Sequence, residues 1–153
     1  MNDGPIETHA ERDPWRLTRF VEAQNAVLPQ VHRELASGHK RGHWMWFVFP
    51  QLRALGRSEM SQHFGLANRA EARAYQRHPT LGPRLLACCE LLMRGSGHDA
   101  REVFGAVDAM KLRSCMTLFA AAAPEHRVFN EVLEKFFPEG PDTATRDLLG
   151  DEW

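Results

Sequence analysis

The chain has 153 residues, 43% of them apolar, and its 19 Lys+Arg nearly balance 20 Asp+Glu. That length suits one domain whose core needs no disulfide or metal staple. The even charge balance argues against an obligate nucleic-acid binder, which carries a clear basic excess.

Residues 1–12 are polar, contain Gly4 and Pro5, and read as a flexible N-terminal tail rather than a signal peptide. Residues 13–153 read as a single helical domain. Asp13-Pro14 has the N-cap and first-turn residues of a helix start. Apolar residues then recur at helical spacing from Leu17 to Leu35, with Pro29 predicting a kink or two helices meeting. Gly38 is a suitable stop.

The segment from Gly38 to Gln51, GHKRGHWMWFVFPQ, holds two of the four tryptophans and two of the nine phenylalanines. Phe49 precedes Pro50 and is expected to be extended. Trp44–Phe49 lacks a strand partner elsewhere in the chain, so a helical turn or irregular crossing segment is expected. So much aromatic mass reads first as a core hub. One tryptophan could also line a pocket rimmed by His43 and Gln51.

Ser58 to Leu66 is read as a short helix, and Asn68-Arg69-Ala70-Glu71 as a capping box opening the next, which ends before Pro79. His78 is expected to bond locally. Thr80 could cap a helix carrying Leu81, Leu85, Cys88, Cys89, Leu92 and Met93, closed by Gly95-Ser96-Gly97. A short turn, Ala100 to Phe104, ends at Gly105. Asp108 is expected to cap a helix running to Ala123 and stopped by Pro124. Glu125 to Phe137 is amphipathic, and Asp142 opens a last short helix ending at Gly150. The expected fold class is all-α: a single compact domain of about seven or eight short helices.

The helix DAMKLRSCMTLF is apolar almost all round, which predicts burial. Yet it carries Lys111 and Arg113, with Ser114 and Thr117 among the apolar positions. Buried cations need partners. These are either internal carboxylates such as Asp108, Glu102 or Glu90, or an anionic ligand held by Lys111 and Arg113 with Ser114 donating a hydrogen bond. The functional expectation is therefore a small anionic ligand, phosphate- or nucleotide-like, between the two unusual segments. Trp44, Trp46, Gln51, Lys111, Arg113 and Ser114 would bind it, and His43 is the candidate general acid or base. The opposing expectation is a non-catalytic protein-interaction module with an exposed apolar patch.

No cofactor and no metal are expected. His39 and His43 flank Lys40 and Arg41, which repel a cation, and no glutamate of the H-E-x-x-H kind accompanies them. Adjacent Cys88 and Cys89 point about 100° apart on a helix and read as buried small hydrophobes. Three cysteines form no disulfide framework, which points to a reducing, cytoplasmic setting. The apolar run around Trp44 is too short to span a bilayer. Oligomeric state is not legible in the sequence.

The stretches FVEAQ, HWMWFVFPQL, LGRS, EARAYQRHPTLGPRL, VFGAVDAMKLRSCMTLF and LEKFF together resemble the family called domain of unknown function 1810. The resemblance runs from about Trp15 to Leu149. It implies an all-helical fold with no established activity; some members carry a calpastatin-like label. Its motifs fall on His43, Trp44, Trp46, Pro50 and Gln51, and on Lys111, Arg113, Ser114 and Thr117. This chain departs from it at Gly42 and Cys115, where serines are usual, and the second departure weakens Cys115 as a nucleophile. Phe64-Gly65 replaces a more typical Tyr-Ala pair, which removes any tyrosine role there.

Overall fold

A computed structural model describes residues 12–150, and the predicted tail lies outside them except for Arg12. Ten α-helices occupy the described residues, in the order α1 (Thr18–Asn25), α2 (Leu28–Ser37), α3 (Met45–Val48), α4 (Glu59–Phe64), α5 (Arg69–Arg77), α6 (Leu81–Arg94), α7 (Ala100–Phe104), α8 (Ala106–Ala122), α9 (Val128–Phe136) and α10 (Thr143–Leu149). The fold is all-α. The one pairing of extended backbone among these residues is an isolated bridge between Leu52 and Leu66.

More helices appear than the expected seven or eight because local breakers act fully. Pro29 sits in the first turn of α2, where its missing N–H costs nothing, and the chain breaks at Ala26-Val27 just before it. Trp44–Phe49 forms a single helical turn, α3, with extended φ at Phe49.

Three predicted caps act differently from expectation. Asp13 accepts hydrogen bonds from Leu17 N, Thr18 N and Thr18 Oγ1, so it closes the turn before α1 rather than starting a helix at Pro14. Thr80 occupies the cap position of α6 without capping it. His78 Nδ1 accepts from Thr80 N and Leu81 N instead. Asp108 does not cap α8. That helix begins two residues earlier, after Gly105 at φ 81° and ψ 164°, a region open essentially to glycine.

Helix α8 is the central element, packed on α5, α7, α9 and α10. From Ser114 to Ala123 every residue is buried. An unbroken chain of rings crosses the core from Phe64 through Phe20, Tyr75 and Phe119 to Phe129, with centroid separations of 5.7, 5.1, 5.4 and 5.6 Å. Each such buried ring contributes about 1.5–3 kcal/mol of transfer free energy. Inside it, Gln24 Nε2 donates to Phe47 O at 2.7 Å and to the Tyr75 hydroxyl at 2.9 Å, tying α1, α3 and α5 together.

Cations from distant helices finish helix ends. Lys135 Nζ donates to Leu92 O, Met93 O and Gly95 O at the end of α6, and Arg73 Nη1 donates to Ala122 O at the end of α8. These carbonyls have no partner inside their own helix.

Candidate functional site

The aromatic segment is organised by a carboxylate. Glu34, in α2, is buried, and its Oε1 accepts from Arg41 N, Gly42 N and Trp44 Nε1 at 2.8, 3.0 and 2.9 Å. Gln30 Nε2 donates to Oε2 at 2.7 Å. Burial alone would raise the carboxyl pKa, but the four hydrogen bonds outweigh it and hold it at about 2. Trp44 is thereby locked in the core, 1% exposed, against Phe49 and Phe104.

A second carboxylate joins this loop to α8. Asp108 Oδ2 lies 2.7 Å from Lys40 Nζ, and Asp108 Oδ1 lies 3.3 Å from Lys111 Nζ. Each ammonium also faces an indole, Lys40 at 5.0 Å from the Trp44 ring centroid and Lys111 at 3.6 Å from that of Trp46. Lys40 Nζ further donates to Gly42 O. The seam beside Lys111 is bordered by Trp46, Gln51, Ser61 and Gly65 and encloses about 10 Å³. That is room for about one water.

Arg113 leaves α8 in another direction. Its Nε and Nη2 donate to Gly140 O and Pro141 O at 2.9 and 3.2 Å, and its Nη1 lies 3.7 Å from Glu139. Ser114 and Thr117 donate to carbonyls four residues back, Met110 O and Arg113 O, and Thr117 Oγ1 also accepts from Asp142 N. The seven sequence candidates are thus divided. Trp46, Gln51 and Lys111 share the narrow seam, and Trp44 is a core residue beside it. Arg113 lies at a separate cleft, Ser114 is buried with a local partner, and His43 is exposed.

The cleft at Arg113 is the roomier feature. It measures about 320 Å³ and lies between α7, the first half of α8 and the end of α9. Ala109, Phe136 and Phe137 form a buried apolar floor. Arg101 and Arg113 stand on its walls with Asp99 and Glu139. The Arg101 side chain is exposed and makes no hydrogen bond or ion pair to a described residue. Ala106 also lines the cleft, and no side chain caps the first turn of α8 there. An uncapped start of a 17-residue helix presents free N–H groups and positive potential. A neighbouring cleft of about 260 Å³ beside His39 and Glu102 shares Asp99 and Phe136 with it.

Sequence reasoning missed Glu34, Asp99 and Arg101. Glu34 and Arg101 look like ordinary surface residues of amphipathic helices, and Asp99 signals only a cap. Among the described residues, no three His, Cys, Asp or Glu side chains gather to hold a metal ion. No helix there is long and apolar enough to cross a membrane.

Fold and clefts together define a small helical protein built around one buried helix, with its polar features at that helix's first two turns. The chain belongs to the family described as protein of unknown function (DUF1810), whose model matches residues 14–149. The crystal structure of the conserved hypothetical protein Rv1873 from Mycobacterium tuberculosis is similar at 47% identity, covering 90% of this chain and 98% of that one, with a TM-score of 0.87. No curated protein matches.

Proposed function

We propose that this protein binds a small ligand through an anionic group, in the cleft between α7, α8 and the end of α9. The observation that carries the reading is the unpartnered Arg101 guanidinium at a cleft of about 320 Å³. Arg113 Nη1 and the uncapped first turn of α8 add positive character to the same walls. The volume is at the small end of ligand pockets. The seam bordered by Trp46, Gln51 and Lys111 has too little room for such a ligand, and Lys111 is already engaged there by Asp108 and the Trp46 ring. No reaction is assigned to His43.

The test is thermal stability against a panel of small carboxylates and phosphates. A ligand at a hundred times its Kd stabilises by about 2.7 kcal/mol. Arg101→Gln should abolish the shift and leave unliganded stability within about 0.5 kcal/mol, since the residue is exposed and unpaired. A wild-type protein indifferent to the whole panel sinks the reading.

The second reading is a partner-binding surface, because Val107 and Met110 are each 69% exposed on the outer face of α8. Val107→Glu separates the two: Val107 is not among the residues lining the cleft, so ligand binding should survive it while docking at this face should not.

A further inference from the structure

The walls of the cleft carry both signs of charge. Arg101 and Arg113 face a cavity that Asp99 and Glu139 also border. Neither acid is fully used by the protein. Asp99 Oδ1 accepts from Arg101 N, and its other oxygen has no hydrogen bond to a described residue. Glu139 meets Arg113 only at 3.7 Å, and its side chain is 56% exposed. Between these charges lies the apolar floor of Ala109, Phe136 and Phe137, with the exposed side chain of Met110 on the wall.

This arrangement selects among anions. A polyphosphate would bring several negative charges against two carboxylates, and like charges at close quarters are strongly disfavoured. A simple inorganic anion would leave the apolar floor wet. A molecule with a carboxylate, an ammonium and an apolar body satisfies the basic side, the acidic side and the floor together. A cavity of about 320 Å³ suits one such unit and not a dinucleotide.

We propose that the ligand is a zwitterionic α-amino acid with an apolar side chain. Its carboxylate meets Arg101, its ammonium meets Glu139 or Asp99, and its side chain lies on Phe136 and Phe137. The assignment rests on the reading that the cleft binds a ligand through an anionic group, and narrows it.

Calorimetric titration with L-leucine, L-methionine and L-phenylalanine tests it, with N-acetyl-L-phenylalanine, phenethylamine and inorganic phosphate as comparators. At least one amino acid should bind. For L-phenylalanine, loss of either charge should weaken binding about tenfold, the equivalent of one charge-assisted hydrogen bond. Glu139→Gln combined with Asp99→Asn should bring L-phenylalanine down to the level of its N-acetyl form and leave the latter unchanged. Because Asp99 caps α7, the helical spectrum of the double variant is recorded alongside, and Glu139→Gln alone should move binding in the same direction. N-acetyl-L-phenylalanine or phosphate binding as tightly as the free amino acids would overturn the zwitterion and leave the anion reading standing. Failure of all three amino acids overturns it as well. Silence from these and from every other anion removes both.

Discussion

Glu34 shows how one side chain sets the course of a loop. Three N–H groups converge on Oε1, and one of them belongs to the buried Trp44 indole. Glu34→Ala leaves that indole without an acceptor in the core, so it should cost about 2 kcal/mol in urea denaturation. Glu34→Gln keeps an acceptor and should cost less. The carboxyl is held at about 2 against an ordinary value of 4.5, so the folded state favours the ionised form. Its contribution is complete above pH 4.5 and is lost as pH falls toward 2. Stability measured across that window should fall less steeply in Glu34→Gln than in the wild type. None of this was legible beforehand. The aromatic segment announced itself through composition, but a glutamate on an amphipathic helix gives no sign that it will turn toward residues seven to ten positions later. Lys111 and Arg113 were legible as cations needing partners. Asp108, which pairs with Lys111, was among the carboxylates the sequence offered; the partners of Arg113 were not, because Glu139, Gly140 and Pro141 meet it only through the packing of α9 against α8.

Helices were easier to read than their ends. The 3.6-residue pattern located α2, α6, α8 and α9, and proline and glycine located most breaks. Cap identity failed at Asp13 and Thr80, where local hydrogen bonds displaced the expected cap, and at Asp108, whose side chain is taken by tertiary partners that sequence spacing does not reveal. Asp108 is the clearest case: two lysines claim its carboxylate, and Gly105 starts the helix without it. Caps supplied from another helix are invisible for the same reason. Lys135, in α9, meets Leu92 O at 2.8 Å and Met93 O at 3.1 Å, so the end of α6 is held by an ammonium more than forty residues away. Lys135→Met keeps the aliphatic stem but strips those carbonyls of their donor. It should lower stability by about 1–2 kcal/mol, and amide exchange should quicken selectively in the last turn of α6 and in the Gly95–Gly97 loop. Uniform quickening across the chain would contradict this local role.

At the scale of the whole molecule, the sulfur atoms report on the core. Cys88 and Cys89 in α6 and Cys115 in α8 are free and buried, and Cys89 Sγ lies 3.7 Å from Met116 Sδ of α8. Burial pushes the Cys88 thiol up to about 12 and the other two well above their ordinary range. The thiolate is the reactive form, so the native protein should resist a disulfide reagent at neutral pH. Modification of all three should proceed at one common rate that follows unfolding as denaturant is raised. A thiol that reacts promptly in the native state would show that the core around it opens on its own. The all-α class was readable from helical spacing and from the lack of a strand partner for Trp44–Phe49, and the burial of α8 from its being apolar almost all round. The cleft at Arg113 was not readable, because it arises where α7, α8 and α9 fail to fill space, a property of three elements at once.

The shared carboxylate of Asp108 makes this corner of the protein genetically lopsided. Replacing either lysine leaves one cation matched to one anion. Replacing the aspartate strands two ammonium groups, 6% and 15% exposed, within reach of each other and with no counterion between them. A lineage that lost the aspartate would therefore gain by losing a lysine next, while the reverse order would carry little disadvantage. The three positions are bound by order-dependent epistasis, and drift through them runs more freely in one direction than in the other.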